Sequence, residues 1–163
     1  MYIYDHNDPL QDFDPEIHFH NTHELQNCTY YTEEALESLT KSISTPDLYL
    51  SVFHLNIRSL PRNFSHLEIL LSKLHHSFTI VAITETWLTD AVASLYALPN
   101  YNHEFICRDS RPGGGVSLFI RKDIEYRLVS NLSRLNDDFE CLFIEILSSK
   151  HKINTLLGSI YRP

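Results

Sequence analysis

No apolar stretch in this chain approaches the roughly 18 residues needed to span a bilayer, so no membrane segment is expected. Its start, Met1-Tyr2-Ile3-Tyr4-Asp5-His6, has neither the basic nor the apolar region of a signal peptide. Cysteine is scarce: Cys28, Cys107 and Cys141 are odd in number, widely spaced and without a Cys-x-x-Cys pair. That argues for reduced thiols in an intracellular protein rather than a disulfide framework. No Gly-Lys-Ser/Thr is present, and a strand pattern follows the glycine run Gly113-Gly114-Gly115. Neither a P-loop nor a dinucleotide-binding turn is supported. Basic residues are nearly missing from positions 1–50, where Lys41 stands against ten acidic side chains. Residues 51–163 hold eleven acidic and twelve basic residues, so the net charge of −8 belongs to the leader. The acidity therefore does not argue against a nucleic-acid partner, although the body has no strongly basic footprint either. Internal repeats and low-complexity tracts are absent from the sequence.

What is present suffices for one domain. The 163 residues are 43% hydrophobic and 12% aromatic, enough for a sizeable core. Residues 1–47 read as an acidic, mostly disordered leader interrupted by Pro9 and Pro15. Within it a short helix is expected from the N-cap Thr32, with Leu36, Leu39 and Ile43 on one face, until Thr45-Pro46-Asp47 ends it. From residue 48 the texture changes. Residues 48–57 are expected to form a strand buried on both faces. Phe64, Leu67, Leu70, Leu71 and Leu74 then repeat at helical spacing, and 78–84 reads as a second buried strand. A short helix is expected over 90–98. Strands are expected over 101–107, 116–120, 124–129, 139–147 and 153–161, the last two joined by a turn at 148–151. One β-α-β unit followed by strand-rich antiparallel sequence predicts an α/β (α+β) fold with a mixed sheet or sandwich and helices outside it.

The β-α-β unit carries the chemistry. Its crossover makes the two strands parallel and brings their ends, at Asn56 and Glu85, to one edge of a sheet. Open α/β sheets bind ligands at that edge. A lone strand-end Glu is ordinarily a solvated carboxylate. This one ends an apolar strand, precedes Trp87 and faces a neighbouring strand that ends in an amide. Mg²⁺ prefers oxygen ligands and takes one or two carboxylates, with waters and phosphate filling the other positions. Glu85 as a direct ligand, with Asn56 orienting water or phosphate, suits that chemistry.

The strings Leu55-Asn56-Ile57-Arg58-Ser59-Leu60, Thr84-Glu85-Thr86-Trp87-Leu88, Arg108 through Gly113-Gly114-Gly115-Val116, and Ser159-Ile160-Tyr161-Arg162-Pro163 occur in this order. Together they resemble the endonuclease domain of non-LTR (LINE-type) retrotransposon reverse transcriptases, in the endonuclease/exonuclease/phosphatase superfamily. The resemblance covers residues 48–163. It implies part of a four-layer α/β/β/α sandwich, truncated, that hydrolyses DNA phosphodiesters with Mg²⁺ or Mn²⁺. Carried over by position, Glu85 is the metal-binding glutamate, Asn56 lies near metal and nucleophile, and Tyr161 touches the scissile phosphate. Arg58 stands where repair-type members often carry an acidic residue, which favours the retrotransposon branch. The glycine run has two readings, a hairpin turn or a close backbone approach to DNA with Arg108 and Arg111 on phosphates.

The family also uses an Asp-x-Asn motif, a further Asp and a terminal Asp-His, none of which follows the matched block. The expectation is thus an amino-terminal fragment holding half of an active site and inactive alone. The partners implied are DNA, the missing carboxy-terminal half and a reverse-transcriptase domain. His103 and His151 are formal substitutes for the missing histidine, but surface histidines near turns are the simpler account. The alternative function is a non-catalytic, transposon-derived remnant acting as a binding module. A lipid or inositol phosphate phosphoesterase fits the strings less well. A rival cluster, His18, His20, His23 and Cys28, contains zinc-ligand types in a spacing that matches no common finger.

Overall fold

The computed structural model describes residues 30–42, 50–108, 113–136, 138–147 and 153–162. The parts of the expected leader before residue 30, the zinc-type cluster, Arg111, His151 and the 148–151 turn lie outside these residues. Among the described residues three helices, α1 (Glu33–Ser42), α2 (Leu60–Lys73) and α3 (Asp90–Ala93), accompany eight strands. The strands are β1 (Val52–Asn56), β2 (Ile80–Thr84), β3 (Tyr101–Ile106), β4 (Val116–Arg121), β5 (Tyr126–Leu128), β6 (Arg134–Leu135), β7 (Glu140–Ile146) and β8 (Thr155–Tyr161). The fold is mixed α/β, as expected, with two sheets.

The first sheet runs β1-β2-β4-β3, with β1 parallel to β2 and the other neighbours antiparallel. The second is built on β7, which pairs β8 along one edge and β5 and β6 along the other. The sheets pack face to face, β8 over β2 and β4, and β7 over β3 and β4. Ile80, Ala82, Leu118 and Ile120 meet Leu142 and Ile144 between them. On the other face of the first sheet, Val81, Ile83 and Phe119 join a second core with Leu60, Leu67 and Leu74 of the α2 region. The seven-residue spacing of those leucines keeps one helical face on the sheet. Among the described residues the layers are therefore helix, sheet, sheet.

Helix α1 starts as its residues dictate. Thr32 Oγ1 accepts the Ala35 N–H at 3.2 Å, and Glu33 and Glu34 occupy the first turn. Although it comes from the acidic leader, α1 is seated on the body: Leu36 packs against the helix-side core and Glu33 pairs with Lys73 of α2 at 3.2 Å.

Several expectations are corrected. Strand β1 is not buried on both faces; Phe53 is buried, whereas Val52, His54 and Asn56 are exposed. Those three are in register with Ile80, Ala82 and Thr84, whose side faces the second sheet. The second sheet reaches over β2 and β4, so β1 lies at an edge left uncovered among the described residues. Helix α3 spans four residues rather than nine, and β5 is shorter than expected. The two-residue strand β6 was not expected at all.

Candidate active site

The parallel pair β1-β2 delivers its two ends to one edge, with Asn56 in register with Thr84, one residue before Glu85. The two segments stay zipped beyond the strands. Ile57 N–H donates to Thr84 O at 3.0 Å, Ser59 N–H to Glu85 O at 2.8 Å and Leu60 N–H to Thr86 O at 2.8 Å. The glycine run closes from the other side, where Trp87 N–H donates to Gly114 O at 2.9 Å. This edge is rich in left-handed backbone: Arg58, Ser59, Glu85 and Trp87 all have positive φ, as do Gly113, Gly114 and Gly115. Such conformations cost free energy in non-glycine residues and concentrate where function requires a particular geometry.

Two of those glycines are needed for space as well as for φ. A Cβ on Gly115 would fall on Thr86 Oγ1, and one on Gly114 would fall on the Glu140 carboxylate. The close approach made by the run is therefore to the protein's own side chains.

Glu85 is half-buried, and both of its oxygens are engaged. The Tyr161 hydroxyl donates to Oε1 at 2.5 Å, reaching across from the second sheet, and the Trp87 indole N–H donates to Oε2 at 2.9 Å. The Tyr161 hydrogen bond, helped by the Trp87 bond and the charges of Arg58 and Arg108, holds the Glu85 carboxyl below its ordinary range against the opposing effect of burial. Tyr161 is pushed up to about 12 by burial first, then by its bond to Glu85. At neutral pH the pair is a neutral phenol donating to a carboxylate anion.

Sequence reasoning missed Glu140. It is in register with Tyr161 on the neighbouring strand and is completely buried. Its Oε2 accepts the Gly115 N–H, and its Oε1 pairs with Arg108 Nε. Arg108 is thus held inside, its side chain 9% exposed and facing Glu140 rather than open solvent. The buried Arg108 Nη2 atom has no hydrogen-bond partner among the described residues. The signal available in the sequence was a carboxylate at the head of the apolar run Cys141-Leu142-Phe143-Ile144. His103 likewise departs from expectation. It is not a surface turn residue but lies in β3, where its ring stacks on Phe119 with centroids 4.2 Å apart. Its Nε2 lies 3.0 Å from Ser117 Oγ, and burial lowers it to about 4.

No protein-family model matches this chain, and no curated protein matches it.

The donor chemistry bears on the expected cation. Among the described residues no group of three or more His, Cys, Asp or Glu side chains is placed to hold a metal ion. The edge offers one carboxylate, Glu85, and one amide, Asn56. Each Glu85 oxygen accepts one hydrogen bond and has a further lone-pair site. Carboxylate and amide both offer oxygen atoms at adjoining strand ends, the ligand type that Mg²⁺ prefers alongside its own waters. A cavity of about 490 Å³ lies at the opposite end of the first sheet, lined by His75, His76, Pro99 and Tyr101 among others, away from this chemistry.

Proposed function

We propose that this chain is the amino-terminal part of a divalent-metal-dependent DNA endonuclease of the non-LTR retrotransposon type. The observation that supports this best is the Glu85–Tyr161 pair. It joins a strand-end carboxylate of one sheet to a hydroxyl of the other, beside Asn56 on the adjoining strand. The four-layer α/β/β/α sandwich belongs to the same proposal.

In this reading Glu85 holds Mg²⁺ or Mn²⁺ through its free lone pairs, and Asn56 orients a water or a phosphate oxygen. The Tyr161 hydroxyl, kept protonated by its surroundings, would turn its one proton from Glu85 to the scissile phosphate once the cation occupies that carboxylate oxygen. When bound, the cation supplies Lewis-acid polarisation of the phosphate and a more acidic water. Glu140 and Arg108 hold the glycine loop against Thr86. Hydrolysis also needs a proton acceptor for the attacking water. Among the described residues Glu140 is committed to Arg108 and Gly115, and His103 lies stacked on Phe119 within β3. We therefore assign proton acceptance to the carboxy-terminal half of the family's domain, whose strands would also cover the open inner face of β1.

That both Glu85 oxygens are engaged within the protein, by Tyr161 and Trp87, favours one other reading, a transposon-derived binding module without catalysis. The coding frame beyond Pro163 separates the two. An Asp-x-Asn motif, an Asp-His pair and a reverse-transcriptase Asp-Asp signature support the endonuclease, and immediate stop codons support the binding module. On protein, Mg²⁺-dependent nicking of supercoiled plasmid should be absent from the 163-residue chain. It should appear in the extended product and be lost there with Glu85→Ala.

A further inference from the structure

Trp87 is fixed yet not buried. Its backbone N–H is bonded to Gly114 O and its indole N–H to Glu85 Oε2, each at 2.9 Å. Its φ is 54°, a costly backbone state for an aromatic residue, and it still leaves 39% of the side chain's residue surface exposed. The common use of an indole is core filling, and here the fold instead spends strain and two hydrogen bonds on holding one at a surface edge. Four of the six non-glycine positive-φ residues among those described lie at this edge. The other two, His75 and Asn100, are in the turns after α2 and before β3.

Because the indole nitrogen already donates to Glu85, the ring has no hydrogen-bond donor left for a ligand. It can offer only its π face. The same carboxylate receives the Tyr161 hydroxyl on its other oxygen, so one carboxylate separates the indole nitrogen from the phenol oxygen. That span is comparable with the distance from phosphate to base within one nucleotide. We propose that Trp87 is a stacking platform for an unpaired nucleobase whose own phosphate sits at Tyr161 and Glu85. This rests on the nucleic-acid reading above and adds the part of the substrate that it recognises: a base lifted out of a duplex or lying in a single strand.

Trp87 is the only tryptophan of the chain, so intrinsic fluorescence reads this residue alone. The full 163-residue chain is titrated at low salt with a single-stranded DNA of about eight nucleotides. An abasic sugar-phosphate strand of equal length and charge is titrated in parallel. The base-bearing strand should quench Trp87 and bind about tenfold more tightly than the abasic one. Read by the anisotropy of fluorescein-labelled strands, which needs no tryptophan, Trp87→Ala should remove that preference while leaving the abasic affinity unchanged, and Trp87→Tyr should restore most of it. Equal quenching and affinity for both strands overturns the proposal, as does a preference that survives Trp87→Ala or binding of neither strand. If Trp87→Ala does not fold by far-ultraviolet circular dichroism, the wild-type and Trp87→Tyr titrations decide. Failure of the endonuclease reading is separately visible as Mg²⁺ that leaves Glu85 resonances unmoved, which base stacking does not affect.

Discussion

Truncating Glu140 to alanine should destabilise this protein more than any surface change at the same edge. The carboxylate is fully buried and serves two groups, the Gly115 N–H and the Arg108 guanidinium. Glu140→Ala therefore leaves a nearly buried cation and a backbone donor unsatisfied. Removing one member of a buried pair costs about 3–5 kcal/mol. For a protein of this size each kcal/mol lowers Tm by about 2–4 °C, so a loss of about 6–20 °C is expected. Urea unfolding followed by circular dichroism measures the global change, and Trp87 fluorescence reports the adjoining loop. The informative control is the double variant Glu140→Met with Arg108→Met. Replacing both charges with apolar groups removes the unpaired cation and should recover most of the loss. A cost below about 1 kcal/mol for Glu140→Ala, or a double variant as unstable as the single one, would refute the idea that the pair is coupled in a desolvated site.

Because the Glu85 carboxyl is held below its ordinary value of 4.5, its contribution to stability is complete above that value and is lost as pH falls through the lowered one. Tyr161→Phe removes the largest cause, so carbon-detected NMR should show the Glu85 titration moving upward; an unmoved titration would contradict the hydrogen bond's role. His103, neutral in the fold down to about 4 against 6.5 when unfolded, binds its proton more readily in the unfolded chain. Stability should therefore fall as pH drops from 6.5 toward 4, and His103→Gln should flatten that slope in urea midpoints. Gly115→Ala places a Cβ on Thr86 Oγ1 at a φ of 88° and should cost more than 1 kcal/mol, by about the usual penalty for such backbone states. A midpoint equal to wild type would contradict the tight loop.

The elements that show best in the sequence are those whose burial is enforced by local pattern. The unbroken apolar run of β2 is buried at every position, and the leucine spacing of α2 places Leu60, Leu67 and Leu74 on one face. A β-α-β unit must be parallel, so Asn56 and Glu85 arrive at neighbouring strand ends on topology alone. The rest depends on contacts between distant segments. Strand β1 follows an apolar run much like that of β2, and the reach of the second sheet, which stops at β2, leaves Val52 exposed along with His54 and Asn56. Arg108 reads as a surface cation until Glu140, 32 positions later in the chain, is seen to pair with it. The glycine run announces positive φ, but not that Thr86 and Glu140 occupy the space a side chain would need. Trp87 carries no sequence mark of its double anchoring, which depends on a carboxylate two residues away turning back toward it.

The proposed cation site is Glu85, steadied by Tyr161, with Asn56 at the adjoining strand end. Paramagnetic Mn²⁺ added to the isotopically labelled full chain tests it most directly. Broadening should centre on Glu85, Asn56 and Tyr161, be competed by Mg²⁺, and vanish in Glu85→Gln. Broadening confined to the acidic first 50 residues, or unchanged by Glu85→Gln, would contradict the account.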